Sequence, residues 1–238
     1  MDMTDLKILR KLFFVLILGM LFGCASPPKP HHTILGTTYG WDAEGVQVLL
    51  DAQVGQLRIR HVRMANAICV SGHSDHMEIQ GEIGPDSTAA VERLIPRLHK
   101  CTKSDGNWIV NTVYLNSGGG MMYDGYRMGN LFREHEIQTQ ITGGQQCASS
   151  CAIAFLGGKF RAMAYDAKLL FHAPYTTEGI AINCMDRGQV GRLKDYYIKM
   201  LGSRDGEYLF ERTMSYCSSS SGWTLNADGA KLFNITTP

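Results

Sequence analysis

A serine pair, Ser149 and Ser150, lies at the predicted start of a short apolar helix, within the segment Gln-Cys-Ala-Ser-Ser-Cys-Ala at 146–152. The first N–H groups of a helix have no intrahelical partner, and the helix dipole favours negative charge beside them. A nucleophilic serine there would have an oxyanion donor in the N–H group of the next residue. The alternative interpretation is that both hydroxyls only cap the helix. This segment alone leaves both interpretations open.

A candidate base, His172, stands at the end of the next predicted strand, after Leu169-Leu170-Phe171 and before Ala173-Pro174. A serine needs an adjacent base to become nucleophilic near neutral pH. Neighbouring βα units of a parallel sheet would place Ser149 and His172 close together, because such strands end at one edge. A lone histidine is more often structural, so this pair is a hypothesis about spatial proximity.

Three glycines, Gly118 to Gly120, follow a third predicted strand. Glycines after a strand let backbone N–H groups approach a ligand closely. The run is not a phosphate loop, because no Gly-Lys-Ser/Thr follows it, and Tyr123 stands where the dinucleotide fingerprint needs glycine. An oxyanion site and a simple tight turn remain as interpretations.

The elements that must position these residues alternate between strands and helices, which indicates an α/β domain with a largely parallel sheet. Residues 45–59 suggest a helix running into a strand. Predicted strands lie at about 77–83, 108–115, 136–142 and within 162–171. Predicted helices follow Asp86 or Ser87 and lie at about 121–134, 147–156, 188–201, 205–216 and 227–232.

The N-terminus has the pattern of an export signal. Lys7, Arg10 and Lys11 precede an uncharged apolar run at 12–23, which is too short to span a bilayer comfortably. The run ends in Leu-Phe-Gly-Cys24, which resembles the bacterial lipobox; a plain signal peptide or membrane anchor is the alternative. We predict a lipoprotein signal peptide at 1–23, a lipidated tether at 24–32 and one domain at 33–238. Ala25 after the modified cysteine favours the outer membrane.

The other cysteines are even in number, six in all, which in an exported chain suggests disulfides. We predict Cys69–Cys101 and Cys184–Cys217, since each pair brackets one structural unit. Cys147 and Cys151 are predicted to be core thiols or a local disulfide that stiffens the turn at Ser149 and Ser150, called the serine turn below. A metal site is not predicted, because nothing places two further ligands beside them.

Composition excludes some partners. The net charge is +1, from 23 basic and 22 acidic residues, and no basic stripe with interleaved aromatics occurs. Nucleic acid is therefore not an expected partner. No motif indicates a cofactor, and no Walker motif is present.

Taken together, the motifs resemble those of the Clp protease proteolytic subunit. The segment 116–120 is similar to that family's Asn-Ser-Pro-Gly-Gly motif, with Gly118 in place of proline, and Gly125 matches a glycine of the following helix. Segments 147–152 and 171–174 are similar to those around its nucleophile and its histidine, at similar separations. Exported Clp-like proteins with a serine between two cysteines are closer still. The resemblance covers about residues 77–175.

This resemblance implies a Clp-protease/crotonase-like fold of repeated β-β-α units, with a largely parallel sheet flanked by helices. Ser149 would be the nucleophile and His172 the general base, with the N–H groups of Gly120 and Ser150 as the oxyanion hole. The family's aspartate has no counterpart in the loop 217–222, so Asp228 is the candidate third member.

The implied function is an ATP-independent serine peptidase or acyl hydrolase of the bacterial envelope, acting on a peptide or protein through an acyl-enzyme. It would be lipid-anchored, facing the periplasm of a Gram-negative bacterium, with self-association as a further expectation. The alternative is a catalytically inactive Clp-like lipoprotein that binds peptides or proteins, which the absent aspartate favours. Acyl-CoA chemistry fits poorly, because it needs no Ser–His pair.

Overall fold

The computed structural model describes residues 45–238 and, ahead of them, only the backbone of two short strands, β1 (Thr33–Ile34) and β2 (Thr37–Thr38), which pair antiparallel. The predicted signal peptide, the tether and Cys24 lie outside the described residues. In the part of the chain that is described, no helix is long and apolar enough to cross a membrane.

The strands that follow form one large mixed sheet and two small antiparallel pairs. In chain order they are β3 (Val46–Val54), β4 (Leu57–Ala65), β5 (His73–Ile83), β6 (Cys101–Thr102), β7 (Trp108–Ile109), β8 (Thr112–Gly120), β9 (Gln138–Ile141), β10 (Gln146–Ala148), β11 (Phe160–Met163), β12 (Lys168–Phe171), β13 (Tyr175–Glu178), β14 (Ala181–Cys184) and β15 (Trp223–Leu225).

The large sheet runs β15-β12-β10-β8-β5-β4-β3, with β9 branching from β8 to pair with β11. Its central strands, β5, β8, β10 and β12, are parallel neighbours, and β9 and β11 are parallel too. Antiparallel strands close both edges, with β3 and β4 on one side and β15 on the other. Val113, Leu115 and Leu169 of the central strands are fully buried, as parallel strands covered on both faces require.

Helices flank this sheet: α1 (Pro85–Leu94), α2 (Met122–Glu134), α3 (Ser150–Leu156), α4 (Gly191–Leu201), α5 (Ser203–Met214) and α6 (Ala227–Leu232). A 3₁₀ turn at Ile95–Arg97 extends α1. The α/β class, with a largely parallel sheet flanked by helices, is as predicted.

Long-range pairing corrects the prediction in three places. Residues 46–54 are a strand rather than a helix, because they pair antiparallel with β4. Cys147 and Ala148 lie in β10 and not in a helix, because they pair with β12. Strand β8 continues through the glycine run, since Gly119 and Gly120 pair with the end of β5.

Helices α2 and α3 approach each other so closely that only glycine fits between them. A Cβ atom on Gly157, at the end of α3, would stand 2.0 Å from the carbonyl oxygen of Gly129 in α2. A Cβ on Gly125 would stand 2.6 Å from the carbonyl oxygen of Ser150. This contact fixes the height of α3, and hence of the serine turn before it, above the sheet.

We therefore expect Gly157→Ala to lower the free energy of unfolding by about 1–3 kcal/mol, because a methyl group would meet backbone that cannot move aside. Gly191→Ala is the matched control: it stands at the start of α4 with no atom within 4 Å of the added Cβ. It should change stability by less than about 0.5 kcal/mol. Urea denaturation measures both, and equal stability of the two variants would contradict the close approach of α2 and α3.

Candidate active site

Three neighbouring parallel strands end at the same edge of the sheet, and the candidate residues lie at these ends. β10 lies between β8 and β12, with Cys147 opposite Ser117 and Ala148 opposite Leu170. The N–H group of Ser149 donates to the carbonyl oxygen of Leu170 over 2.9 Å, which continues the ladder by one residue. Ser149, His172 and the glycine run therefore follow adjacent strand ends.

Ser149 and His172 line the same cleft, which has a volume of about 520 Å³. Both residues are half-buried. The structure thus places at one cleft the two side chains that were predicted from the sequence to act together. The other residues of the wall are Glu82, Gly118, Gly120, Met121, Met122, Tyr123, Ile153, Phe171, Pro174, Tyr175, Thr176, Thr177, Met185, Tyr197 and Ser219.

The backbone of Ser149 is in a region that side-chain-bearing residues rarely adopt, with φ 55° and ψ −123°. Such a conformation costs on the order of 1–3 kcal/mol and persists only where the surroundings enforce it. It makes a sharp turn from β10 into α3 and exposes the hydroxyl at the helix N-terminus, as in a nucleophile elbow. No sequence signal marked this strain, because serine gives no warning of a positive φ.

The glycine run packs directly against this turn. Gly119 has φ +109°, and a Cβ there would stand 2.6 Å from the Cβ of Ser149 and 2.8 Å from the carbonyl oxygen of Ala148. Gly120 has φ +140°, and its Cβ would stand 2.1 Å from the carbonyl oxygen of Ile83. Both positions therefore require glycine.

The N–H groups of Gly120 and Ser150 are the candidate donors for an oxyanion. Gly120 lines the cleft beside Ser149. Ser150 is the first residue of α3, so its N–H group has no acceptor within the helix. The Gly119 N–H group, in contrast, is used within the turn, where it donates to Ser117 Oγ over 3.0 Å.

His172 is oriented by a backbone carbonyl. Its Nδ1 lies 2.9 Å from the oxygen of Ala173. A carbonyl can only accept, so Nδ1 carries the hydrogen and Nε2 of the neutral ring is left as an acceptor. Across residues 45–238, no hydrogen bond joins His172 to Ser149. Such catalytic contacts are often long in unliganded enzymes and tighten when substrate binds.

The structure does not bring Asp228 to His172. Asp228 is exposed in the first turn of α6, which follows β15. Because Leu225, the last residue of β15, pairs with Leu169, α6 begins beside the start of β12, whereas His172 follows the end of that strand. Ser219 lines the cleft instead. Among the described wall residues, the acidic side chain is Glu82, on the far side of the glycine run.

The remaining predicted residues also have clear places. Ser150 is fully buried behind the turn, and among the described residues its hydroxyl has no hydrogen-bond partner.

Disulfides join Cys69 to Cys101 and Cys184 to Cys217, the two predicted pairs. A third disulfide joins Cys147 to Cys151 across the serine turn, which decides between the two sequence interpretations of that pair. From residue 45 onwards, no cluster of three or more potential metal ligands occurs.

Most residues of the cleft wall carry no local signal in the sequence. Met122, Ile153 and Met185 supply an apolar surface, and the exposed hairpin β13–β14 supplies Tyr175. The Cys184–Cys217 disulfide ties this hairpin to the serine-rich loop at 218–221. Glu82 lines the cleft because β5 pairs with β8. The order of the strands along the chain permits this pairing but does not require it, so the sequence alone does not identify Glu82.

Comparison with known proteins supports the fold. No protein-family model matches the chain, and no curated protein matches it. A mutant of the 1510-N membrane-bound stomatin-specific protease aligns with TM-score 0.52 and 15% identity, over 67% of this chain and 75% of that chain. A second mutant of the same protease, in complex with a substrate peptide, gives TM-score 0.52 and 16% identity, over 67% and 71%.

A ClpP1 mutant from Listeria monocytogenes aligns with TM-score 0.47 and 17% identity, over 67% of this chain and 86% of that chain. The likeness to the stomatin-specific protease is structural, at low identity. The predicted fold class, a mixed and largely parallel sheet flanked by helices, is confirmed.

Replacing Ser150 tests whether its buried hydroxyl has a hydrogen-bond partner in the folded protein. Ser150→Ala removes a buried hydroxyl without a partner, so the free energy of unfolding should stay within about 0.5 kcal/mol or rise. Thr139→Val is the comparison, because the buried Thr139 hydroxyl donates to the carbonyl oxygen of Phe155 over 2.8 Å. Its loss should cost about 1–2 kcal/mol in urea denaturation. A larger loss for Ser150→Ala than for Thr139→Val would show that the Ser150 hydroxyl has a structural partner.

Proposed function

We propose that this protein is an ATP-independent serine peptidase of the bacterial envelope in which Ser149 attacks a peptide carbonyl. The observation that carries this is the strained turn of Ser149 at the start of α3, in a cleft that it shares with His172. Structural neighbours that are proteases support a peptidase kind of function.

The first half of the reaction follows from these positions. His172 Nε2 takes the proton of Ser149 Oγ as the oxygen attacks the carbonyl carbon. The resulting oxyanion is held by the N–H groups of Ser150 and Gly120. The intermediate then collapses: the C–N bond breaks, and His172 gives its proton to the departing amine. The acyl group remains on Ser149 as an ester.

Water completes the cycle. His172, neutral again, takes a proton from a water molecule that attacks the ester carbonyl, and a second oxyanion forms in the same place. Collapse breaks the bond to Ser149 Oγ, which recovers its proton from His172. The acid product leaves, and the enzyme is unchanged.

No carboxylate of residues 45–238 contacts the imidazole of His172, and this sets the expected rate. The carbonyl of Ala173 fixes the useful tautomer, as an aspartate would, but stabilises the imidazolium less. Removing the aspartate of a Ser-His-Asp triad lowers kcat by about 10⁴-fold, while the oxyanion hole and substrate binding retain activity above that of water. We therefore propose a slow peptidase.

The proposed location is the outer membrane, with the domain tethered through a lipid on Cys24 and facing the periplasm. All six cysteines between residues 45 and 238 are paired in disulfides, which persist in oxidising compartments such as the periplasm. Self-association stays a prediction from the family resemblance.

A peptide-binding module without catalysis is the second candidate. The same cleft would bind an extended peptide, and the open Ser149–His172 geometry, with no acidic partner for the imidazole in the described part of the chain, favours this function. The two candidates differ in whether Ser149 is reactive.

A fluorophosphonate probe separates them. We expect folded wild-type protein to be labelled and Ser149→Ala to lose the label, because the probe reacts only with an activated serine. Ser150→Ala should keep it, since the backbone N–H group of residue 150 remains. Heat-denatured protein is the control for unspecific labelling. Absence of label on folded wild-type protein would instead support the binding module.

Asp228 provides a separate test of the catalytic geometry. Because it is exposed at the end of β15 remote from His172, Asp228→Asn should leave the labelling rate within about twofold of wild type. An acid that completes a triad would change the rate by orders of magnitude. The pseudo-first-order rate constant of probe labelling measures this, with thermal unfolding as the check that both proteins are equally folded. A drop of a hundredfold or more would place Asp228 in the site.

A further inference from the structure

Glu82 lies on the opposite side of Ser149 from His172. The strand order β5-β8-β10-β12 places the end of β5 on one side of the serine turn and the end of β12 on the other. Glu82 pairs with Gly119, and Ser149 packs against the space that a side chain on Gly119 would occupy. The Cγ atom of Glu82 lies 3.0 Å from the point where a Cβ on Gly120 would stand. The side chain of Glu82 therefore packs beside Gly120, the residue whose N–H group is the proposed oxyanion donor.

The groove around Glu82 is acidic. The 520 Å³ cleft and a neighbouring hollow of about 240 Å³ share Glu82 and Met121, and the second hollow adds Asp86. Among the described residues, no lysine or arginine lines either hollow, and no ion pair engages Glu82. The chain as a whole has a net charge of +1, so this negative character is local. Asp86 stands in the first turn of α1, where it also complements the helix dipole.

A carboxylate beside an oxyanion donor opposes catalysis unless a cation neutralises it. Negative charge develops on the substrate oxygen in the transition state, and a nearby like charge raises that barrier. A substrate that brings its own ammonium or guanidinium group would remove this cost and gain an ion pair. Met121 and Tyr123, both exposed on the same wall, offer apolar surface for the stem of a long basic side chain.

We propose that Glu82 forms a subsite for a cationic group of the substrate, and that it makes the peptidase selective for peptides with a positive charge close to the cleaved bond. The inference rests on the proposed function of Ser149 and deepens it. The cation is a lysine or arginine side chain or a free peptide amino terminus; all three share the chemistry that a carboxylate recognises.

The catalytic test uses cleavage of a peptide library by the full chain, with cleavage sites identified by mass spectrometry. Wild type should enrich lysine and arginine at one position, and blocking peptide amino termini by acetylation shows whether the terminus itself is recognised. In Glu82→Gln the ratio of kcat/KM for a lysine peptide to that for its norleucine counterpart should fall by about threefold to tenfold. Neutral peptides should be cleaved faster, because the charge opposing the oxyanion is gone.

Glu134→Gln is the matched control, because it removes the same charge from an exposed helix position away from the cleft. It should keep the wild-type ratio. High salt should lower the ratio in wild type and leave Glu82→Gln unaffected. Absence of cationic enrichment in wild type, or a ratio that survives Glu82→Gln, would overturn the inference.

A binding arm tests the subsite independently of catalysis. Fluorescence anisotropy compares the lysine and norleucine peptides on Ser149→Ala and on the Ser149→Ala, Glu82→Gln double variant. Tighter binding of the lysine peptide that is lost in the double variant supports the subsite even where wild type fails to react with the fluorophosphonate. Equal binding of both peptides to Ser149→Ala would refute it, whether or not Ser149 is reactive.

Discussion

The parallel pairing of β8, β10 and β12 is the constraint on which the site depends. It places the glycine run, Ser149 and His172 on three adjacent strand ends, and the ladder from Ser149 N–H to the Leu170 carbonyl fixes their relative height. Side chains of a strand alternate between faces, so a shift of one residue between β10 and β12 would turn His172 away from the cleft. Strand register, more than any single side-chain contact, therefore defines the candidate site.

The serine turn is held by contacts that tolerate no extra atoms. Gly119 is pressed against Ser149, Gly125 against the backbone of Ser150, and Gly157 against Gly129. These close approaches fix a backbone conformation that costs on the order of 1–3 kcal/mol on its own. The Cys147–Cys151 disulfide spans the same turn and links the last strand residues to the first turn of α3. Small residues and a covalent bond thus maintain the exposure of one hydroxyl.

Local sequence patterns indicate the candidate pair Ser149 and His172, but not the strand pairing that creates its surroundings. Ser149 and His172 were identifiable because local patterns mark the ends of buried strands and turns. The strand character of residues 46–54 and the extension of β8 through Gly120 depend on partners remote in sequence, and local propensity cannot reveal them. Glu82 was missed for the same reason: it reaches the cleft only because β5 lies beside β8. The positive φ of Ser149 arises from tertiary packing as well.

The distribution of charge distinguishes this cleft from an ordinary serine triad. A triad places its carboxylate behind the imidazole, where it stabilises the positive charge that forms there. In the described cleft the imidazole bonds to a neutral backbone carbonyl, and Glu82 lines the wall on the side of Gly120, the proposed oxyanion donor. In the proposed mechanism, both differences would raise the barrier for a neutral substrate. A cation bound at Glu82 would offset the second difference alone, so substrate charge rather than a third catalytic residue would set how much activity the Ser149–His172 pair delivers.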